Sequence, residues 1–342
     1  MRNAAPLASY VAAALSRFVP LLVGCALAFG ISELTLRTLG FEWTLYPSKV
    51  QFGWPTPQTF QWRYRPDAEF LWVRKDMQQM LEPLRQSQHP SIAFIGDSCT
   101  EMGVYVDQFR QQLQTVRPDQ YSVVALGTGG WSSWQGRAFF EKQVLPLKPA
   151  IAAFYFGWND HWTSFGVEDK NMARYYEAFP VLPEVSELRT VQMLNFFLFR
   201  FHFKTVHQPN RVEPEDFYQN VVSFIASAKA NGIVPVILTA PSSHVRGKEP
   251  HHLWERHMQH LSELVPVHEQ YVALARKAAQ EHGAVLVDLY PYFRQFPPAQ
   301  LEQQYFQNDG IHLQAAGDEL IAQQILKSLL AAGALPDKPA DH

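Results

Sequence analysis

Short, uninterrupted apolar runs alternate along most of the chain with longer segments of helical periodicity. The runs have the length and the β-branched and aromatic content of strands that are buried on both faces. Five of them are candidate strands: residues 91–95, 121–126, 150–156, 233–239 and 284–288. Candidate helices lie near residues 214–230, 267–282 and 315–332. From residue 91 onward, the chain therefore alternates between strand and helix.

This alternation predicts an α/β fold with a doubly wound, five-stranded parallel sheet in a flavodoxin-like strand order. Parallel strands need crossover connections, and the candidate helices supply them. Open sheets of this kind bind ligands outside the carboxyl ends of their strands. The residues that directly follow the apolar runs are therefore the candidate functional residues.

Polar and glycine-containing motifs occupy these positions in chain order. The first run ends in Gly-Asp-Ser at 96–98, the second is followed by Gly-Thr-Gly-Gly at 127–130, and the third by Gly-Trp-Asn-Asp at 157–160. Asn-Asp-Gly-Ile-His-Leu at 308–313 precedes the last candidate helix. A serine between a buried strand and a helix can be a nucleophile whose neighbouring N–H groups face a developing anion. The alternative is that Ser98 is an ordinary helix N-cap.

Taken together, the four motifs resemble those of the SGNH (GDSL-type) hydrolase family. The resemblance covers the chain from about Ser91 to the C-terminus. It implies the SGNH hydrolase fold and a serine esterase activity that needs no cofactor and no metal ion. Cys99 and Ala125 depart from the family pattern, which has leucine and often asparagine at these positions.

The resemblance also implies an oxyanion hole. Its donors would be the backbone N–H groups of Ser98 and Gly127 and the side-chain amide of Asn159. Gly129 and Gly130 are alternatives to Gly127, which could instead permit a tight turn. Loss of one such donor typically lowers the rate by about 10²–10³.

A serine hydroxyl is a weak nucleophile near neutral pH and needs a base within hydrogen-bonding distance. His312 is the candidate base, because an imidazole can both accept and return a proton near neutral pH. Asp309 can accept the other ring N–H of His312, which would fix the tautomer and stabilise the imidazolium. Asp160 is instead expected to shape the turn that presents Asn159.

Composition narrows the function further. The 342 residues carry a net charge of −3, which gives no general attraction to nucleic acid, and no nucleic-acid partner is expected. No Gly-x-Ser-x-Gly motif occurs, which argues against the α/β-hydrolase superfamily. A disulfide between the two cysteines, Cys25 and Cys99, is not expected. Ser132 and Ser133 are predicted to lie in a loop.

An uncharged apolar run at residues 18–31 indicates export or membrane attachment. Residues 26–28 offer an Ala-x-Ala cleavage site, and residues 22–25 resemble a bacterial lipobox with Cys25 as the lipidated residue. A buried helix of a cytoplasmic protein is a further alternative. Apolar sequence continues past both processing sites to Ile31 and can be extended to Leu36 across Ser32, Glu33 and Thr35, which favours an uncleaved, single-pass signal anchor over residues 1–39. The catalytic domain would then lie on the periplasmic or extracellular side of the inner membrane.

The remaining segments are assigned from composition. Residues 40–90 are rich in Trp, Tyr, Phe and Pro and are predicted to form an extended arm on the domain surface, followed by a helix at about 74–86. The hydrolase domain is predicted over residues 91–342, with an insertion at about 163–212 that fits no strand. The insertion could form a lid or substrate wall, a helix pair that completes the core, or an aromatic and basic segment at a membrane surface.

These features predict a membrane-anchored serine esterase that acts on O-acetyl groups of a cell-envelope or exported polysaccharide through an acyl-enzyme on Ser98. Three alternatives remain. The first is an O-acetyltransferase, in which a sugar hydroxyl replaces water, and the second is a lysophospholipase or thioesterase. The third is a catalytically silent polysaccharide-binding scaffold. The expected partners are a small-molecule or polysaccharide ester and, through the N-terminal helix, the membrane.

Overall fold

The computed structural model describes residues 7–43, 62–164, 167–178, 188–202, 209–253 and 260–336. The chain divides into two compact units, described here in turn. The larger comprises residues 49–180 and 205–342, and the smaller comprises residues 1–48 and 181–204.

Seven strands occur among the described residues, all of them in the larger unit. They are β1 (Tyr64–Asp67), β2 (Leu71–Arg74), β3 (Ser91–Gly96), β4 (Ser122–Gly127), β5 (Ile151–Tyr155), β6 (Val234–Leu238) and β7 (Val285–Val287). The last five form one parallel sheet in the order β4-β3-β5-β6-β7, and β1 and β2 form a separate antiparallel hairpin. The predicted α/β fold with a flavodoxin-like five-stranded sheet is therefore confirmed.

α-Helices occur in both units, and those of the larger unit connect the strands of the parallel sheet. In chain order they are α1 (Leu7–Thr38), α2 (Met77–Gln86), α3 (Ser98–Met102), α4 (Tyr105–Val116), α5 (Ser133–Phe139), α6 (Asp169–Ala178), α7 (Arg189–His202), α8 (Pro214–Ala230), α9 (Leu264–His282), α10 (Leu289–Phe293) and α11 (Ala315–Ala331). Local sequence explains several of their ends. Pro214 is the first residue of α8, with two acidic residues in the same turn, and α9 ends at Gly283, whose φ is +66°.

Aromatic side chains fill the core on both faces of the parallel sheet. On one face, Phe94 of β3 packs against Phe109 of α4, with ring centroids 5.3 Å apart. On the other, Phe154 of β5 stacks on Phe224 of α8 at 4.6 Å. Every residue of β3 and β5 is buried, as expected for central strands covered by helices on both faces.

The segment before β3 differs from its predicted form. Residues 64–74 form the β1–β2 hairpin rather than an extended arm, and Phe70, Leu71 and Trp72 are buried. The two four-residue strands and their short turn are too brief to produce a clear alternating pattern. Helix α2 begins at Met77 instead of about residue 74, because Arg74 ends strand β2. The predicted arm residues 44–61 lie outside the described residues.

A second difference concerns Ser132 and Ser133, which were expected in a loop. Ser132 is the N-cap of α5 and forms a reciprocal capping box with Gln135, and Ser133 is the first residue of the helix. The Ser-x-x-Gln spacing is a known signal for a helix start. Both serines are buried.

In the smaller unit, α1 and α7 pack together. Residues Phe18–Thr38 of α1 are long and apolar enough to cross a membrane, a property that signal sequences share. The carboxylate of Glu33 in α1 accepts the backbone N–H groups of Arg189 and Thr190, the first two residues of α7, at 3.0 and 2.9 Å. These N–H groups have no partner within α7, so Glu33 caps that helix. The proposed boundaries at residues 39, 90, 163 and 212 remain predictions.

We predict that Phe224→Ala lowers the free energy of unfolding by about 3–5 kcal/mol, because it leaves a cavity between α8 and the sheet. Chemical denaturation followed by tryptophan fluorescence measures the change. Val116→Ala, at the exposed end of α4, is the control and should change stability by about 0.5 kcal/mol or less. Equal losses for the two variants would contradict the packing described for Phe224.

Candidate active site

Ser98 lies where the central strand β3 meets helix α3. Asp97 is the N-cap of that helix, and its Oδ1 accepts the backbone N–H of Cys99 at 2.8 Å. Gly96 precedes it, and a Cβ at this position would lie 2.0 Å from Thr100 Oγ1. The helix therefore packs so tightly on the strand end that only glycine fits there.

Three predicted catalytic side chains meet at this strand end. His312 Nδ1 lies 2.5 Å from Asp309 Oδ2, and His312 Nε2 lies 2.8 Å from Ser98 Oγ. An ionised carboxylate can only accept hydrogen bonds, so Nδ1 carries the imidazole proton. Nε2 then presents its lone pair to the Ser98 hydroxyl and can accept the hydroxyl proton. This is the arrangement in which a histidine can act as the general base of a serine nucleophile.

The Asp309 carboxylate is fixed by several donors. Its Oδ1 accepts the backbone N–H groups of Ile311 and His312 at 2.9 and 3.0 Å, which leaves Oδ2 for the imidazole. Burial alone would raise the pKa of Asp309. The hydrogen bond and charge of His312 and the two backbone N–H groups outweigh burial and hold the pKa below its ordinary value. Asp309 therefore stays ionised at neutral pH.

The loop that carries Asp309 is held by the segment that follows β6. His244 Nε2 lies 2.8 Å from the backbone oxygen of Asp309, and Ser243 N–H donates to the backbone oxygen of Gly310 at 3.1 Å. Gly310 has a φ of +70°, and a Cβ there would lie 2.5 Å from His244 Nε2. Burial lowers the pKa of His244, so its ring is neutral and Nε2–H is the donor.

Asn159 follows β5, and both hydrogens of its side-chain NH2 group are hydrogen-bonded. Its Nδ2 donates to Asp97 Oδ2 at 2.9 Å and to the backbone oxygen of Trp131 at 3.0 Å. Burial raises the pKa of Asp97 to about 6, even though the N–H of Cys99 opposes the shift. Asp97 thus connects the nucleophile segment to the Asn159 turn, a role that the sequence analysis did not assign.

Asp160 has a structural environment, consistent with its expected place in the turn. Its Oδ1 accepts the backbone N–H of Ser133 at 2.8 Å, which ties the Asn159 turn to the first residue of α5. Burial raises the pKa of Asp160 to about 7. The carboxylate that contacts the His312 imidazole is that of Asp309.

The three glycines after β4 have different surroundings. Thr128 N–H donates to Gly96 O at 3.0 Å, whereas Gly127 O accepts from Arg74 Nη1, at 3.4 Å. In a strand, the N–H and C=O of one residue point to the same side, so the Gly127 N–H points away from β3 and Ser98. Gly129 N–H donates to Glu101 Oε2.

Gly130 differs from Gly129 in the environment of its N–H. Its N–H has no protein acceptor in the described part of the chain. Its φ is +77°, in the left-handed region that favours glycine. Its carbonyl accepts a bond from Arg211 Nη1 at 2.7 Å. Arg211 is fully buried and paired with Asp169 at 2.8 Å, so a buried ion pair holds the carbonyl side of the Gly130 turn.

Glu101 connects the turn to the hairpin. Its side chain is 1% exposed and lies on α3, one turn after Ser98. Besides Gly129 N–H, Oε2 accepts the Tyr64 hydroxyl at 2.6 Å, and Oε1 lies beside the guanidinium groups of Arg63 and Arg74. Burial and the neighbouring Glu101 charge raise the pKa of Tyr64, which keeps its hydroxyl a donor. The hairpin therefore supports the glycine turn through a buried carboxylate.

Cys99, one of the two residues that depart from the family pattern, points into the protein. Its thiol is buried, 4.0 Å from the backbone oxygen of Ile311, and is not in a disulfide. Burial raises the pKa of the Cys99 thiol, so it remains protonated. No group of three or more His, Cys, Asp or Glu side chains suited to a metal ion occurs among the residues described.

Comparison with known proteins agrees with this geometry. The profile of the GDSL-like lipase/acylhydrolase family matches residues 94–320, about two thirds of the chain. The chain belongs to this family. The SGNH hydrolase resemblance, the fold and the identification of the chain as an ester-hydrolysing enzyme are thereby confirmed. No curated protein matches this SGNH hydrolase at a significant level.

Solved structures include several similar folds. A lipase/acylhydrolase from Enterococcus faecalis is 18% identical, with a TM-score of 0.48; the match covers 73% of this chain and 100% of that one. Axe2, an acetylxylan esterase from Geobacillus stearothermophilus, is 16% identical, with a TM-score of 0.46; the match covers 75% of this chain and all of the other.

We predict that Glu101→Ala lowers kcat by roughly 10²-fold with KM changed much less, because the glycine turn loses its buried anchor. Steady-state kinetics on a small ester measures both constants. Asp107→Ala is the matched control, since it removes an exposed carboxylate paired with Arg110 and should leave both constants unchanged. A Glu101→Ala enzyme that is folded and fully active would contradict the anchoring role.

Proposed function

We propose that this SGNH hydrolase is a serine esterase that forms an acyl-enzyme on Ser98. The observation that carries the proposal is the hydrogen-bonded series from Ser98 Oγ through His312 to the Asp309 carboxylate. Within it, His312 takes the hydroxyl proton as Ser98 attacks the ester carbonyl, and then gives that proton to the leaving alkoxide. Water, deprotonated by the same imidazole, then attacks the acyl-enzyme; the bond from the acyl carbon to Ser98 Oγ breaks, the imidazolium returns the proton to Ser98 Oγ, and the acid is released.

The oxyanion is proposed to be stabilised by the N–H groups of Ser98 and Gly130 and by the Asn159 amide. Gly130 replaces Gly127 in this proposal, because the Gly127 N–H points away from β3, whereas the Gly130 N–H has no acceptor among the described residues and can turn to a substrate oxygen. To donate to the oxyanion, Asn159 must give up one of the two hydrogen bonds that its Nδ2 makes in the free enzyme. We assign the exchange to the hydrogen bond with the Trp131 carbonyl, because that oxygen is neutral. The charged oxyanion is an acceptor about twice as strong and can replace it.

The substrate is proposed to be an O-acetyl ester on a polysaccharide of the cell envelope or an exported one. The support is the family's acylhydrolase chemistry together with a helix, Phe18–Thr38, that is long and apolar enough to cross a membrane. A retained α1 would make the protein single-pass in the inner membrane, with the hydrolase on the periplasmic or extracellular side. Transfer of the acetyl group to a sugar hydroxyl uses the same residues and is a second outcome of the tests below.

We predict that Ser98→Ala and His312→Ala each lower kcat/KM for p-nitrophenyl acetate by about 10³ or more. Asp309→Asn should lose up to about 10⁴, because the amide can hold the wrong imidazole tautomer. Asn159→Ala should lose about 10²–10³. The matched controls, Ser87→Ala and His89→Ala, change a partly exposed serine and an exposed histidine before β3 and should retain full activity.

Labelling by a serine-directed fluorophosphonate separates the enzyme from a silent scaffold. The wild-type chain should be labelled, and Ser98→Ala should not. If the folded wild-type protein is neither labelled nor faster than its variants, the proposed catalytic residues are wrong.

We further predict that hydrolysis of p-nitrophenyl esters by the full chain falls as the acyl group lengthens beyond acetyl. Rates for acetyl, butyryl, octanoyl and palmitoyl esters measure this preference. Faster cleavage of the long-chain esters would replace the acetyl-ester proposal with a lipid-directed hydrolase. Acetylated oligosaccharide formed in the presence of an unacetylated acceptor would identify a transferase.

A further inference from the structure

Helix α7 of the smaller unit exposes an apolar face. Leu194, Phe197, Leu198 and Phe201 are between 40% and 79% exposed. Their spacing is i, i+3, i+4 and i+7, which places all four on one side of an α-helix. Large apolar side chains clustered in this way usually mark an interaction surface.

The opposite side of α7 is already occupied within the smaller unit. Gln192 Oε1 accepts the backbone N–H of Trp43 at 3.2 Å, and the Phe196 ring packs edge-on against the Trp43 ring at 5.9 Å. Positions 192 and 196 lie on one face, since they are four residues apart, and that face is opposite the exposed one. The rotation of α7 about its axis is therefore fixed, with the Leu194–Phe201 side turned outward.

The start of α7 is attached to the end of the candidate membrane span. Glu33, near the C-terminal end of α1, caps α7 through Arg189 and Thr190, and the Thr190 hydroxyl lies 3.3 Å from that of Ser32. Glu33 is also paired with Arg37, at 2.7 Å. These polar contacts lie where the apolar sequence of α1 ends, which is where a spanning helix reaches the headgroup region.

The length and charge of α7 suit a helix that lies on a bilayer. Its 14 residues extend about 21 Å, too short to cross a hydrocarbon core of about 30 Å. It contains no Asp or Glu and two arginines, Arg189 and Arg200. Arg189 is paired with Glu42 at 3.1 Å, so Arg200 is the residue expected to contact anionic headgroups, as basic residues near an apolar face do in interfacial helices.

We propose that α7 is an interfacial membrane helix, whose Leu194, Phe197, Leu198 and Phe201 side chains insert at the headgroup boundary of the bilayer that α1 crosses. The inference rests on the proposed membrane anchoring by α1. The lipid bilayer is the occupant because α7 is joined directly to the end of the apolar span. The smaller unit would then be an anchor with two parts, one transmembrane and one lying flat.

The test uses the full chain in nanodiscs of phosphatidylcholine and phosphatidylglycerol, with an environment-sensitive nitrobenzoxadiazole label on single cysteines. Wild type carries the label on the exposed Cys25 of α1, because Cys99 is buried. Phe197→Cys and Phe201→Cys, each in a Cys25→Ser background, report on α7. Gln114→Cys, in the same background, reports an exposed position on α4. Lipids with a nitroxide near the headgroup or near the chain end quench labels at the corresponding depth.

The proposal predicts that both α7 labels have blue-shifted emission and are quenched more by the shallow than by the deep nitroxide. The Gln114→Cys label should instead be quenched by aqueous iodide. Water-like emission from both α7 labels would overturn the inference, and so would blue-shifted emission that no nitroxide lipid quenches, since protein would then cover the face. Strong quenching of the Cys25 label by the deep nitroxide tests the α1 anchor separately. If the deep nitroxide does not quench the Cys25 label, the anchoring proposal itself is overturned.

Discussion

The active site depends on the close approach of helix α3 to the ends of two neighbouring strands. Gly96 of β3 and Gly127 of β4 are paired in the parallel register, and a Cβ on either would come within 2.0 to 2.3 Å of α3 atoms. Ordinary side chains do not tolerate such distances, so this contact requires glycine at both positions. Because α3 packs so closely against the ends of β3 and β4, side chains at its start and along it contact both the turn after β4 and the turn after β5.

Two buried carboxylates hold the turns around Ser98 in place. Asp97 and Glu101 flank Ser98 on either side, and each accepts hydrogen bonds from a different turn, Asn159 in one case and Gly129 in the other. Buried N–H groups without a partner cost about 1–3 kcal/mol each, so these acceptors stabilise loops that would otherwise hold unpaired donors. The same contacts limit the movement of the proposed oxyanion donors, which electrostatic stabilisation of a transition state requires.

Much of this arrangement was predictable from the sequence, because it follows from local patterns. The apolar runs predicted the strands, and their alternation with helices predicted a flavodoxin-like strand order. The motifs at the ends of the runs predicted that Ser98, Asp309 and His312 lie together. The hairpin at residues 64–74 and the Glu101 cluster were missed, since they depend on contacts between segments that are distant in the chain. The direction of the Gly127 N–H was equally inaccessible, because it depends on which side of β4 faces β3. The catalytic roles themselves remain proposals.

The bonded amide hydrogens of Asn159 explain how the proposed oxyanion site would favour the transition state over the bound substrate. With its two Nδ2 hydrogens bonded to Asp97 and Trp131, the Asn159 amide leaves no unpaired donor in the free enzyme. A neutral ester carbonyl offers little advantage over the Trp131 carbonyl, so the substrate has little tendency to displace it. The negatively charged oxygen of the tetrahedral intermediate is a stronger acceptor and can displace it. An interaction that appears only as charge develops accelerates the chemical step without tightening substrate binding, which is the condition for effective catalysis.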